Sequence, residues 1–137
     1  MKKDNRKYYA AYEERYKTAH AHGVSWSSDV STPVVMEVID QYKISQNQRI
    51  LEIGCGEGRD SRTVLEHGFQ LTATDISKEA IAYCKKIMPK YENNFCVLDC
   101  LSDDCTKNLI SSSGSPLFTC SFWMRTETAF ISSFVTI

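Results

Sequence analysis

One stretch constrains this chain more than any other: Arg49-Ile50-Leu51-Glu52-Ile53-Gly54-Cys55-Gly56-Glu57-Gly58-Arg59-Asp60. A short apolar run carries an acid and then gives way to glycine at 54, 56 and 58. Glycine weakens regular structure and is favoured where the backbone turns hard or lets another group come close. A strand entering such a turn, with a helix-like pattern leaving it, is a βα unit. In sheets built from such units, small molecules rest against that edge.

The flanking segments extend the same architecture. Residues 5–22 are expected to be helical, with Tyr8, Tyr12, Tyr16 and His20 recurring at i, i+4 and charged residues on the other faces. Thr32 and Pro33 read as the N-cap and first residue of a second helix, with Val34, Val35, Val38, Ile39 and Tyr42 on its apolar face. Beyond the glycine turn, 59–67 reads as a helix closed by Gly68, and 70–75 as a strand. Ser77 caps a helix running to Ile87 and stopped by Pro89, and 94–99 is a third strand. The order helix, helix, β, α, β, α, β predicts an α/β fold: a Rossmann-like parallel sheet with crossover helices, preceded by two N-terminal helices. Glu52, Asp75 and Asp99 then fall at or near the carboxyl ends of the strands.

Composition narrows the partners. With 137 residues, 42% apolar and 24% charged, the chain is expected to fold as one globular domain. A formal charge of −1 gives no electrostatic reason to expect a nucleic acid or an anionic membrane. No apolar run approaches the roughly 20 residues that span a bilayer, and no apolar segment follows the basic N-terminus as in a secretory signal, so a cytoplasmic location is expected. The six cysteines form no C-x-x-C pair, and the three histidines, at 20, 22 and 67, stand far from Cys96, Cys100 and Cys105. Reduced thiols and no metal site are expected.

Two phosphate-binding readings of the glycine turn fail. A dinucleotide fingerprint needs G-x-G-x-x-G, and Arg59 stands where the third glycine should fall. A Walker loop needs a lysine followed by Ser or Thr, which is missing here. S-adenosylmethionine suits the acids better, because it carries an ammonium, a sulfonium and a ribose diol but no phosphate. Glu52 is placed to face the amino group. Asp75 is placed to accept both ribose hydroxyls in a charge-assisted pair of hydrogen bonds. Asp99 is placed to accept from the adenine amino group, with the amide of Cys100 donating to a ring nitrogen.

LEIGCGEGRDS, TATDIS and VLDC together resemble the class I S-adenosylmethionine-dependent methyltransferase family, and the continuation G-R-D-S is similar to bacterial small-molecule members such as the tellurite-resistance methyltransferases. The resemblance covers about residues 48–101. It implies the fold, the cofactor, and cofactor-binding roles for Glu52, Gly54, Gly56, Gly58, Asp75 and Asp99, with Cys55, Ile76 and Cys100 beside them. It implies an enzyme that transfers a methyl group to a small-molecule acceptor. A cofactor-binding module without turnover is the non-enzymatic alternative, and a nicotinamide-dependent oxidoreductase is disfavoured by Arg59. Members of this kind use a helix before the first strand as a lid, and Tyr16, His20, Trp26 and Arg59 are candidates for the lid or the substrate pocket. The aromatic face also suits a sulfonium cation. The alternative for the tyrosine stripe is plain packing of the helix on the sheet. No catalytic base is assigned, because in-line methyl transfer draws chiefly on proximity and orientation.

The expected organisation is a helical lid region over 1–47, a cofactor-binding core over 48–110 and an atypical tail over 111–137. The tail is rich in Ser and Thr and shows neither helical nor strand period. A complete member of the family has a seven-stranded sheet, so the sheet is expected to be incomplete. Reading the codons of 118–124 one frame across turns Phe122-Trp123-Met124 into Leu-Asp whatever codons are used, so an out-of-frame tail is expected. An exposed sheet edge would then favour a homodimer.

Overall fold

The computed structural model describes residues 6–26, 31, 33–99, 118–126 and 129–136, with side chains described over 10–26, 31 and 33–99. The elements run α1 (Arg6–Ala21), α2 (Pro33–Gln41), β1 (Arg49–Ile53), α3 (Arg59–Glu66), β2 (Gln70–Asp75), α4 (Lys78–Ile87), a 3₁₀ segment (Pro89–Asn94), β3 (Phe95–Val97), β4 (Phe118–Thr126) and β5 (Ala129–Thr136). They form one five-stranded sheet in the order β3-β2-β1-β4-β5. The first four strands are mutually parallel, with Leu51 opposite Thr72 on one side and Cys120 on the other.

Local chemistry explains most boundaries. Ser77 caps α4 by accepting the Ala80 amide at 3.0 Å, and Gly68, at φ +83, lets the chain leave α3 in the left-handed region. Pro89 stops α4 as expected but also begins the 3₁₀ segment, whose end tightens into β3. Thr32, expected as the N-cap of α2, lies outside the described residues. The apolar face of α2 is narrower than its sequence suggests. Val35, Val38 and Ile39 are buried, whereas Tyr42 lies past the last turn and is 54% exposed.

The core lies between the sheet and α2, α3 and α4. It brings together Ile39, Ile50, Val64, Leu71, Ile81 and Phe95. Phe95 is 1% exposed, and burying such a ring contributes about 1.5–3 kcal/mol.

The tail departs from expectation. Residues 118–126 and 129–136 are strands, not an irregular segment. Phe, Trp, Thr, Val and Ile supply strand propensity there without alternation, and the free edge of β1 supplies backbone partners. Only two residues join β4 to β5, far short of a parallel crossover, so the pair is antiparallel. Among the described residues the sheet has five strands, fewer than the seven of a complete family member. No helix among them is long and apolar enough to cross a membrane.

Candidate functional site

The turn between β1 and α3 is held from below by β2. Thr74 O accepts the amides of Gly54 and Cys55 at 2.7 and 2.9 Å. Gly54, Gly56 and Gly58 all have positive φ, at +79, +56 and +73, but their surroundings differ. A Cβ at Gly54 would meet nothing within 4 Å, which makes it the open face of the turn. At Gly56 it would meet the Tyr16 hydroxyl at 2.9 Å, and at Gly58 it would strike Met88 Cε at 2.8 Å and Cys84 Sγ at 2.9 Å. One glycine faces out, one faces α1 and one faces the core.

Asp75 ends β2 and is 9% exposed. Its Oδ2 accepts the Gly56 amide and its Oδ1 the Ser77 amide, both at 2.8 Å. Burial pushes this carboxyl up from the usual range, against the pull of the Ser77, Gly56 and Ile76 amides. With three of the carboxylate's roughly four lone-pair positions taken by these amides, one remains for a hydroxyl donor.

Glu52 lies one residue before the end of β1, and its Oε2 accepts Ser61 Oγ at 2.6 Å. Burial raises the carboxyl to about 7, with the Ser61 hydrogen bond and Arg59 opposing and Asp60 and Asp75 reinforcing. Such a group gains from a cation brought beside it. Arg59 itself pairs with its neighbour, Nε to Asp60 Oδ1 at 3.3 Å, at the start of α3.

A pair of thiols underlies the turn, which sequence spacing did not suggest. Cys84 donates to Gly56 O at 3.2 Å, and its hydrogen bond to Cys55, together with burial, pushes the Cys55 thiol up. Cys55, Cys84 and Cys96 are free, and no cluster of metal-ligating groups occurs among the described residues.

α1 crosses over this site and packs against α4. Tyr16 is 8% exposed, and burial, Asp75 and Glu57 all push its hydroxyl up. Trp26 meets Tyr16 edge-on at 5.2 Å and Tyr12 at 6.0 Å. Glu57, buried in the turn, accepts the Trp26 amide at 2.8 Å and contacts His20 Nε2 at 2.9 Å. Glu13 reaches Ser77 Oγ and the Glu79 amide at the start of α4. Glu13 and Glu57 were not singled out in the sequence. Only the odd placement of an acid between two glycines hinted at Glu57.

The structure thus brings Glu52, the three glycines, Cys55, Asp75, Tyr16, His20 and Trp26 together. Ile76 is half-buried beside Asp75. Asp99 lies two residues beyond the short β3, not at its last position, because that strand ends at Val97. Cys100 and the side chain of Tyr8 lie outside the described residues.

The family model of tellurite resistance protein TehB matches residues 25–131. Over 83 residues the chain is 26% identical to the probable S-adenosyl-L-methionine-dependent methyltransferase TehB of Haemophilus influenzae, covering 61% of this chain and 24% of that protein. The structure of an S-adenosylmethionine-dependent methyltransferase from Anabaena variabilis superposes with a TM-score of 0.59 at 20% identity, over 85% of this chain and 48% of that one. An RNA methyltransferase from Salinibacter ruber, in complex with S-adenosyl-L-homocysteine, superposes with a TM-score of 0.50 at 15% identity, over 79% and 92% of the two chains. At these identities the superpositions speak to fold alone. The chain spans about a quarter of the Haemophilus protein and about half of the Anabaena one. With the family model matched over most of its length, the chain belongs to the TehB tellurite resistance protein family.

Proposed function

We propose that this chain binds S-adenosylmethionine at the carboxyl edge of β1 and β2 and transfers its methyl group to a small-molecule acceptor. The observation that carries the reading is the meeting of a glycine turn, open at Gly54, with the strand-end carboxylates Asp75 and Glu52. Anionic oxygens with spare lone pairs suit a ligand rich in hydroxyl and ammonium donors and poor in phosphate. The family and the fold of the methyltransferases above support it.

In this reading Gly54 lets the ligand approach the backbone, Gly56 and Gly58 set the turn, and Asp75 accepts from the ribose diol. Glu52 faces the amino group, while Cys55, Ile76, Asp99 and Cys100 line the adenosine side. Residues 1–47 act as the lid over the core of 48–110. S-adenosylmethionine would supply the electrophilic methyl carbon, and the protein's part is to orient the acceptor and exclude water. A cytoplasmic location, an out-of-frame origin for 111–137 and a homodimer through the sheet edge are parts of the same proposal. The gene's nucleotide sequence tests the second and sedimentation the third.

Calorimetric titration with S-adenosylhomocysteine tests the site. Micromolar binding, lost in Asp75→Ala, supports it. Absence of binding by a folded chain overturns it. Binding without methylation of any acceptor would favour a cofactor-binding module.

A further inference from the structure

We infer that Tyr16, carried on α1, is a binding residue for the ribose of the cofactor: its phenol takes the hydroxyl that Asp75 has no room for. The inference rests on the cofactor reading above and turns this part of α1 from a wall of the substrate pocket into a reader of the nucleoside. Tyr16 is 8% exposed, its ring meeting Trp26 edge-on at 5.2 Å and lying 6.1 Å from His20. Its hydroxyl makes no hydrogen bond among the described residues. No fully buried side-chain oxygen or nitrogen among them lacks a partner. The Tyr16 oxygen therefore keeps an open face, although the rest of the residue is packed away.

The position of that oxygen points to the ligand group it meets. A Cβ on Gly56 would lie 2.9 Å from it, and the amide of the same glycine is held by Asp75 Oδ2 at 2.8 Å. Phenol and carboxylate thus flank one residue at the crest of the turn. After burial, Asp75 is the largest influence pushing the phenol up, ahead of Glu57. Such a phenol keeps its proton, so it can both donate and accept. Any side chain at 56 would displace it, and the glycine keeps its place open.

Hydrogen-bonding capacity at Asp75 completes the assignment. The amides of Ser77, Gly56 and Ile76 occupy its carboxylate and leave one position. A ribose diol brings two hydroxyls side by side, each able to donate and accept. One of them can donate to Asp75. The other needs a second partner on binding, because a buried hydroxyl left unpaired costs more than an ordinary hydrogen bond returns. Tyr16 stands beside Asp75 with its hydroxyl uncommitted. Packing alone leaves that hydroxyl unexplained, since a phenylalanine ring would meet Trp26 edge-on as well.

The test is calorimetric titration of the full chain and of Tyr16→Phe with S-adenosylhomocysteine and with 5′-methylthioadenosine, which keeps the ribose but lacks the amino-acid end. The 2′-deoxy and 3′-deoxy forms of 5′-methylthioadenosine complete the set. Tyr16→Phe should bind both parent ligands more weakly by the same factor, about three- to tenfold, as loss of one neutral hydrogen bond requires. The unaltered chain should bind each deoxy form more weakly than its parent. One of the two deoxy forms should bind Tyr16→Phe and the unaltered chain alike, because the hydroxyl that Tyr16 serves is already gone. Unchanged affinity in Tyr16→Phe, or a loss confined to S-adenosylhomocysteine, would overturn the proposal. So would a loss that adds in full to both deoxy forms, or undiminished binding of either deoxy form by the unaltered chain. Failure of the folded, unaltered chain to bind either parent ligand overturns the cofactor reading itself, and this inference with it.

Discussion

Asp75 accepts the backbone amide of Gly56 at 2.8 Å, so the end of the second strand holds the crest of the turn that follows the first. Its other oxygen holds the Ser77 amide that precedes α4. One carboxylate therefore shapes the site before any ligand arrives. Asp75→Asn keeps the size but sets an N–H against one of these amides. It should cost about 1–3 kcal/mol in urea unfolding and at least tenfold in S-adenosylhomocysteine affinity. Full affinity in this variant would mean that the carboxylate only props the turn.

The three glycines should separate by substitution. Gly58→Ala adds left-handed strain to a collision with Met88 and Cys84, and a loss of about 2 kcal/mol or more is expected in denaturant midpoint. Gly54→Ala carries the strain alone, about 1 kcal/mol, because its Cβ would enter open space. Its larger effect should appear in calorimetric affinity. Equal stability losses at the two positions would contradict this division.

Glu52 gives stability a particular pH dependence. Its carboxyl lies at about 7 in the folded chain against 4.5 ordinarily, so between those values the folded chain holds a proton that the unfolded chain has released. Its contribution is full below 4.5, declines as pH rises to about 7 and is level above, a change of about 3 kcal/mol. Urea unfolding of the native chain and of Glu52→Gln at pH 5 and pH 8 reads the difference. The variant should lose much less stability over that interval, and parallel losses would refute the assignment.

Ser77 serves two elements at once. It caps α4 and also donates to Glu13 of α1, 64 residues away in sequence. Ser77→Ala should cost about 1 kcal/mol for the cap and also speed exchange of the α1 amides. Faster exchange in α4 with no change in α1 would show that the contact to Glu13 carries nothing.

Much of this was legible in the residues. The boundaries of α1, α2, β1, β2 and α4 follow from period, caps and breakers, and the family follows from the glycine turn read with TATDIS. Asp75 was found by position, but its grip on Gly56 was not, because a backbone amide leaves no mark in sequence. The pairs Glu13 with Ser77 and His20 with Glu57 and Glu79 join residues remote in the chain, which periodicity cannot connect. β4 and β5 escaped because their composition does not alternate. Their order is set by the edge of β1, a tertiary partner.

β1 lies between β2 and β4, and its partner on the second side begins only at Phe118. As the chain leaves the ribosome, β1 and β2 are complete long before that strand exists. For that interval an apolar strand edge stands unpaired, which is the cost of seating the strand that carries the glycine turn at the centre of the sheet.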